Sequence, residues 1–285
     1  MSNILVTGGN GQLGSELKDL AGKYAEYTFY FTDSVDLDIT NHILVNEFII
    51  KNSIKVIINC AAHTAVDTAE TEFELSDAIN HLAVCNFAEI AKEQDVQLIH
   101  ISTDYVFDGQ NYKPYVESDL VRSQSVYGET KLAGETSMLK INPQNSIIIR
   151  TSWVYSSHGN NFVKTMLRLG SEREQLFVIS DQVGTPTYAR DLAKTILDVL
   201  PKLDNNEVEV FHFSNEGVCS WYDYAKAIFE IKGLPVKVIP IQTFQYPTPA
   251  KRPFYSVLNK SKIKEKYKVD IPYWKESLTN CLNIL

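Results

Sequence analysis

The stretch NILVTGGNGQLG, residues 3–14, decides how the first part of this chain folds. It joins a short apolar run to a glycine-rich turn, and a helical pattern begins near Gln12. Gly8, Gly11 and Gly14 lack the side chains that would block a tight turn and close packing of the helix against the strand. The stretch therefore predicts a strand, a turn and a helix that open a βαβ unit.

The same alternation of short apolar runs and longer helical patterns continues through the first half of the chain. Further helical patterns begin near Asn41, Glu70 and Ser125. Continuous apolar runs are typical of parallel strands buried on both faces, so we predict an α/β fold with a doubly wound, Rossmann-like parallel sheet. The five predicted strands are residues 3–7, 28–32, 55–59, 97–102 and 146–151.

The glycine-rich turn is suited to bind a phosphate group, because the helix that follows presents free N–H groups and the positive end of its dipole. Asp33 ends the second predicted strand, where its carboxylate can accept hydrogen bonds from a ribose 2′-hydroxyl. A 2′-phosphate would be repelled there, and residues 33–39 contain no Lys or Arg, so the pattern favours NADH over NADPH. A surface cluster of Asp33 with Asp36 and Asp38 is the alternative interpretation.

Tyr127 and Lys131 lie four residues apart and would share one face of a helix. We predict that the Lys131 ammonium lowers the pKa of Tyr127, so that its hydroxyl exchanges a proton near neutral pH. Thr103, which we prefer over Ser102, lies at the end of the fourth predicted strand and can hydrogen-bond a substrate carbonyl oxygen. These groups suit the reduction of a ketone. An amphipathic surface pair is the competing interpretation of Tyr127 and Lys131.

Charge and composition exclude several other classes of protein. The formal net charge is −8 and no cluster of Lys or Arg occurs, so nucleic acid is not an expected partner. The N-terminal sequence has neither a charged signal region nor a long apolar run, so we expect a cytoplasmic protein without a membrane partner. The four cysteines and six histidines are scattered, which predicts reduced thiols and no metal site.

The glycine-rich turn, Thr103 and the Tyr127/Lys131 pair, taken in this order, resemble the extended short-chain dehydrogenase/reductase family. Longer motifs narrow the resemblance to the dTDP-4-dehydrorhamnose reductases, and they reach from the first strand to the last loop. These motifs are NCAAHTAVD at 59–67, STDYVF at 102–107, VYGETKLAGE at 126–135, RTSWVY at 150–155 and TPAKRP at 248–253.

This resemblance implies that NADH or NADPH reduces the C4 ketone of dTDP-4-dehydro-L-rhamnose, giving dTDP-L-rhamnose for surface polysaccharide. It also implies that Tyr127 donates the proton and that Lys131 additionally holds the nicotinamide ribose. The dTDP-sugar would contact Thr103, Asp104 and Trp153. The cofactor would be held by Gly8, Gly11, Gln12, Leu13, Gly14, Asp33, Asp38, Ile39, Ala62, His63, Thr64, Tyr127 and Lys131.

The chain divides coarsely into two parts. Residues 1–151 are predicted to be mainly the dinucleotide-binding domain. Prolines break residues 152–285 into shorter pieces, which we predict form mainly a smaller C-terminal substrate-binding lobe, interleaved with the last strands of the sheet. The segment 245–253, QYPTPAKRP, is a proline-stiffened loop whose Lys251 and Arg252 are available to an anionic group or to solvent.

Magnesium binding is one point at which this chain departs from the family. Family members can dimerise through carboxylates around a magnesium ion. Glu16 matches one of these carboxylates, but Arg190 stands where another is expected. A cation there repels the metal, so the sequence argues against magnesium and against that dimer, and it leaves a homodimer of another kind open.

Three other functions stay open on the sequence. Another nucleotide-sugar 4-ketoreductase or an epimerase would use the same Tyr127 and Lys131, and a noncatalytic regulatory subunit could share the fold. A dehydratase needs a pair of acids after the strand-end threonine. Thr103 is followed by Asp104 and Tyr105, so elimination is not expected.

Overall fold

All five strands predicted in the first half of the chain form in the computed structural model, which describes residues 2–285. The helix predicted near Glu70 begins at Phe73 and contains a π-helical segment, Ala78–Leu82, between its α-helical parts. The elements of this half are β1 (Ser2–Thr7), α1 (Gln12–Ala21), β2 (Tyr27–Thr32), α2 (His42–Lys51), β3 (Ile54–Asn59), α3 (Val66–Ala69), α4 (Phe73–Asp77), α5 (Ala83–Gln94), β4 (Gln97–Thr103), α6 (Val126–Ile141) and β5 (Ile147–Thr151).

The second half has shorter strands between its helices, as the distribution of prolines predicts. Short 3₁₀ turns occur in both halves of the chain, at Asp104–Val106, Leu200–Lys202 and Thr243–Gln245. The further elements are β6 (Val154–Tyr155), α7 (Phe162–Glu172), β7 (Gln175–Ile179), β8 (Val183–Gly184), β9 (Thr187–Tyr188), α8 (Ala189–Val199), β10 (Glu209–His212), β11 (Cys219–Ser220), α9 (Trp221–Lys232), β12 (Lys237–Ile241), α10 (Ser261–Tyr267) and α11 (Trp274–Ile284).

The central sheet has six parallel strands in the order β10-β5-β4-β3-β1-β2, which confirms the predicted doubly wound fold. The chain leaves β1 towards one edge and then returns to its other side with β3. The switch point of the sheet therefore lies between β1 and β3, where doubly wound folds bind their ligands. Strand β10 comes from the second half of the chain and pairs with β5.

Side chains of the strands alternate between two apolar cores, one on each face of the sheet. Ile4 and Val6 of β1 face a core built with α1, α8 and α10, whereas Leu5 faces a core built with α2, α5 and α6. All three side chains are fully buried. Burial of such a side chain is worth about 1.5–3 kcal/mol, so both helical layers hold the sheet in place.

A third core, rich in aromatic side chains, forms from the second half of the chain. Tyr155 of β6, Tyr188 of β9 and Tyr224 of α9 pack together in it, with ring centroids 5.4 and 5.7 Å from that of Tyr155. The exact boundary between the two parts of the chain stays a prediction. Within residues 2–285, no helix combines the length and the apolar character that crossing a bilayer requires.

Candidate active site

A cleft of about 1210 Å³ opens at the carboxyl ends of the central strands. The ends of β1, β3, β4 and β5 contribute Gly8, Cys60, Thr103 and Thr151 to its wall, and the second half contributes side chains such as Trp221. Pockets for small molecules usually measure about 300–1,000 Å³. This cleft is therefore large enough for a dinucleotide together with a second ligand.

The glycine-rich turn has the geometry of a phosphate-binding turn. Gly8 has φ +66°, in the left-handed region that favours glycine, and the Gly11 N–H donates to the Gly8 carbonyl oxygen at 2.9 Å. A Cβ atom on Gly14 would lie 2.2 Å from that same oxygen. Gly11 begins α1 without a side-chain cap, so the first N–H groups of the helix are available to a pyrophosphate.

Two acidic side chains of the cleft wall lie in the loop that follows β2. Asp33, Asp38 and Ile39, which the resemblance assigns to the adenosine end of a dinucleotide, all line the cleft. The carboxylate of Asp38 accepts hydrogen bonds from the N–H and the hydroxyl of Thr40, at 2.9 and 2.7 Å. Asp33 accepts one from the N–H of Ser34 at 2.7 Å. Asp38 therefore also orders its own loop.

Hydrogen bonds to its backbone hold the loop that follows β3. Ala62 and Thr64 line the cleft, whereas His63 and Gly14 do not. The side chain of Asn80, in the π-helical segment, accepts from the His63 N–H at 2.9 Å and donates to the His63 carbonyl at 3.1 Å. The His63 ring contacts the Ser76 hydroxyl at 2.7 Å. These contacts with Asn80 fix the main chain of His63 between Ala62 and Thr64, which line the cleft.

Close packing of α6 brings Tyr127 to the strand-end threonine. The Ser125 side chain caps α6 by accepting from the N–H of Gly128. A Cβ atom on Gly128 would lie 2.3 Å from the carbonyl oxygen of Tyr105, so only glycine permits this approach. The Tyr105 ring then packs against the edge of Tyr127, with centroids 5.4 Å apart.

The predicted lowering of the Tyr127 pKa by Lys131 is wrong. Burial, together with a smaller effect of the Asp104 carboxylate, raises the pKa of Tyr127 to about 12, although the nearby Thr103 side chain opposes the shift. The Lys131 ammonium makes no contribution to this shift. A phenol with a raised pKa is protonated at neutral pH, and this is the form that can donate a proton.

Lys131 is directed into the sheet. Its side chain is 1% exposed, and its ammonium donates to the Ile101 carbonyl oxygen at 2.6 Å and lies 3.2 Å from Nε2 of His100. Burial lowers the pKa of Lys131 to about 8, while the Glu135 carboxylate and Cys60 oppose this shift. Burial also holds the pKa of His100 well below its usual range, so this ring is neutral.

Asp104 is a buried acid in the wall of the cleft. Its Oδ1 accepts from the Thr103 hydroxyl at 3.0 Å, while its Oδ2 is buried without a hydrogen-bond partner among residues 2–285. Burial raises the pKa of Asp104 to about 6, although the Ser256 and Thr103 hydroxyls oppose the shift.

Trp153 is fixed between two neighbours at the opposite wall. Its backbone has φ +49°, which is strained for a residue with a large side chain. Its ring stacks on Trp221 with centroids 3.6 Å apart and planes 12° apart. A Cβ atom on Gly184 would lie 2.8 Å from this ring. These neighbours hold the Trp153 ring as a flat apolar platform.

Comparisons with known proteins match this chain over its whole length. The family model described as the RmlD substrate binding domain matches residues 1–285. A dTDP-4-dehydrorhamnose reductase from Aggregatibacter actinomycetemcomitans is 40% identical, over 98% of both chains. The chain belongs to the dTDP-4-dehydrorhamnose reductase family. The family resemblance predicted from the motifs is confirmed.

Solved structures of dTDP-4-dehydrorhamnose reductases share the fold in detail. One from Clostridium acetobutylicum is 46% identical and covers 99% of each chain, with a TM-score of 0.93. One from Bacillus anthracis, in complex with NADP, is 37% identical and covers 100% of each chain, with a TM-score of 0.95. The similarity to this reductase family therefore includes both parts of the chain.

Sequence reasoning did not identify two aromatic residues of this reductase-family cleft. Trp221 and Phe162 line it beside Trp153. Arg252, which the sequence analysis makes available to an anionic group, lines the cleft from the proline-rich loop. The motif Ser220-Trp-Tyr-Asp223 was a usable signal, because Ser220 and Asp223 form a capping box that places Trp221 at the first helical position. Phe162 has no comparable local signal.

The carboxylates that could bind magnesium, Glu16 and Asp19, already lie beside the guanidinium of Arg190. Nη1 of Arg190 donates to Oε2 of the buried Glu16 at 3.1 Å and lies 3.9 Å from Oδ2 of Asp19. His158 also pairs with Asp19, at 2.8 Å. Glu16, Asp19 and His158 are close enough to share a metal ion, but the guanidinium of Arg190 opposes one electrostatically.

Proposed function

We propose that this chain reduces the C4 ketone of dTDP-4-dehydro-L-rhamnose to dTDP-L-rhamnose with NADH or NADPH. The observation that carries the proposal is one cleft that joins the glycine-rich turn to Thr103 and Tyr127, in a chain related to dTDP-4-dehydrorhamnose reductases over its whole length. The NADP bound by the relative from Bacillus anthracis supports a nicotinamide cofactor.

Each residue at the reactive end has a separate task in this proposal. Tyr127 gives its phenolic proton to the ketone oxygen, and Thr103 donates a hydrogen bond to the same oxygen. Lys131 shares a face of α6 with Tyr127 and would hold the nicotinamide ribose. Asp104 and Trp153 orient the sugar. Bound reduced nicotinamide supplies the hydride.

The cofactor would lie along the predicted series of residues. Gly8, Gly11, Gln12 and Leu13 would hold the pyrophosphate at the start of α1, with Gly14 keeping the turn tight. Asp33 would accept from the adenosine ribose, and this carboxylate favours NADH because it repels a 2′-phosphate. The adenine would lie near Asp38 and Ile39, and the nicotinamide half near Ala62, Thr64 and the backbone of His63.

A coupled assay tests the proposal. The purified protein is mixed with dTDP-4-dehydro-L-rhamnose and either NADH or NADPH, and oxidation of the nicotinamide is followed by absorbance. We expect both cofactors to be oxidised, with a higher kcat/KM for NADH, and NMR to identify a rhamnose-configured product. Absence of oxidation with both cofactors contradicts the proposal.

The competing functions give different results in the same assay. A talose-configured product would indicate another 4-ketoreductase. A protein that retains its nicotinamide through purification and interconverts sugars without net oxidation would be an epimerase. A noncatalytic subunit would oxidise no nicotinamide with any of several dTDP-4-keto sugars.

We also propose a cytoplasmic location, because the four cysteines are free in the structure and a reduced nicotinamide pool is found there. A homodimer remains a prediction, and the ion pairs around Glu16 argue against one built on magnesium.

A further inference from the structure

The proline-rich loop is tied to the first half of the chain by a paired ion contact. Nη1 and Nη2 of Arg252 donate to Oδ1 and Oδ2 of Asp67, at 2.7 and 2.6 Å. The N–H of Ala250 also donates to Asp67 Oδ1, at 3.1 Å. A guanidinium and a carboxylate joined through two parallel hydrogen bonds form a strong and strongly oriented pair.

This contact lies at the reactive end of the cleft. Arg252 lines the cleft wall together with Val66 and Tyr105, whereas Asp67 does not line it. Arg252 is close enough to Tyr105 to influence its pKa, and the Tyr105 ring packs against Tyr127. The guanidinium therefore belongs to the substrate side, away from the glycine-rich turn that suits the cofactor pyrophosphate.

Among the charged residues of the cleft wall, Arg252 is the one suited to bind an anion. Lys131 is 1% exposed, and its ammonium is engaged by the Ile101 carbonyl. A sugar nucleotide carries two negative charges on its diphosphate, which need compensation in a partly desolvated site. The charged residues described in the cleft wall are Asp33, Asp38, Asp104, Lys131 and Arg252.

We propose that Arg252 binds the diphosphate of the sugar nucleotide. Before the sugar nucleotide binds, Asp67 holds this guanidinium in place, and the diphosphate then displaces the Asp67 carboxylate. The inference rests on the proposed function for the identity of the ligand. The guanidinium fork matches a phosphate and a carboxylate in the same bidentate geometry, so Asp67 occupies the position that a phosphate oxygen pair would take. The Asp67 side chain is 40% exposed, so solvent can receive the released carboxylate.

The loop provides a fixed position for this exchange. Nη1 of Arg252 also donates to the Thr248 hydroxyl and the Ala250 carbonyl, at 3.1 and 3.0 Å. These contacts lie within its own loop and are made to groups other than the Asp67 carboxylate. The guanidinium is therefore expected to stay oriented when Asp67 leaves, which keeps the cost of the exchange low.

Binding of dTDP, compared with thymidine, tests the proposal by isothermal titration calorimetry. Arg252→Gln should weaken dTDP binding about tenfold or more and leave thymidine binding unchanged, because only dTDP carries the diphosphate. Lys251→Gln is the matched control, since it removes the same charge from the next residue, whose ammonium contacts Gln124 outside the cleft. Unchanged dTDP affinity in Arg252→Gln would overturn the proposal.

Asp67→Asn tests the displacement separately. An amide competes weakly for the guanidinium, so this variant should bind dTDP about threefold to tenfold more tightly than the parent chain. Equal or weaker binding by a variant with an unchanged melting temperature would overturn the displacement. The NADH affinity of both variants should match that of the parent chain.

Failure of this inference can be told apart from failure of the proposed function. If the parent chain reduces the keto sugar and Arg252→Gln has an unchanged KM for it, only the inference fails. If the parent chain reduces no keto sugar and still needs Arg252 to bind dTDP, the proposed reaction fails and the diphosphate site stands.

Discussion

Burial shifts the pKa values of Tyr127 and Lys131, both on α6, in opposite directions. It raises the pKa of the Tyr127 phenol and lowers the pKa of the Lys131 ammonium, because a desolvated site disfavours both charged forms. Tyr127 is therefore loaded with a proton before a substrate arrives. Ketone reduction consumes this proton, so the protein without ligands already has the protonation state that the reduction needs.

Replacement of Tyr127 tests its role as the proton donor. Tyr127→Phe should lower kcat by about 10²-fold or more, the usual contribution of a positioned general acid, while NADH affinity measured by fluorescence titration stays unchanged. Tyr112→Phe is the matched control, because it removes the same hydroxyl from a residue that is 89% exposed. A turnover number equal to that of the parent chain would refute the assignment.

Asp104 should make stability depend on pH. Its pKa rises from 3.8 to about 6 on folding, so well below pH 3.8 the carboxyl is protonated in both states and causes no penalty. Between pH 3.8 and about 6 the unfolded state has released this proton while the folded state still binds it, so stability falls by about 3 kcal/mol across this window. Urea unfolding should therefore show Asp104→Asn as more stable than the parent chain at pH 7. At about pH 3 the two should be equal, and a constant difference would contradict this account.

The sequence predicts a strand or helix well when its residues have similar surroundings along its whole length. The strands around Ile4, Ile57 and Ile148 were predictable because both of their faces are buried, which leaves continuous apolar runs. Strand β10 was missed because it is a short edge strand whose ends are Glu209 and His212.

The sequence predicted those parts of the candidate site whose residue types and spacing indicate a chemical role by themselves. The positions of Tyr127 and Thr103 follow from strand ends and helical spacing. The Tyr127 pKa does not, because it depends on burial and on the direction of the Lys131 ammonium. The pair of Arg252 with Asp67 joins residues 185 positions apart, so no local pattern indicates it.

The first turn of α1 offers a test at the scale of an element. Gly14→Ala would force a Cβ atom to within 2.2 Å of the Gly8 carbonyl, so we expect a loss of about 1–3 kcal/mol in stability and weaker NADH binding. Gly22→Ala is the matched control at the other end of the helix, where φ is −63° and a Cβ atom meets nothing within 4 Å. Urea unfolding and NADH titration of both variants measure the effect. Wild-type values for Gly14→Ala would show that the turn tolerates a side chain.

One ion cluster joins three separate parts of the chain. Glu16 lies on α1, Arg190 lies on α8, and the Ser156 hydroxyl, in the segment after β6, donates to Glu16 Oε1 at 2.6 Å. Glu16 is fully buried, so its charge needs both partners. Arg190 thus supplies from within the chain the positive charge that a metal ion could otherwise provide.

Removal of this guanidinium should turn the cluster into a cation site. Arg190→Ala leaves the buried Glu16 carboxylate without its cation, and we expect a loss of about 1–3 kcal/mol. Magnesium should restore part of that loss, because Asp19 and His158 remain close to Glu16. The parent chain should show the same melting temperature and sedimentation coefficient in magnesium and in EDTA. The double variant Glu16→Gln/Arg190→Ala should not respond to magnesium, since its main oxygen ligand has lost its charge. A parent chain that magnesium stabilises or dimerises would show that Arg190 does not replace the ion.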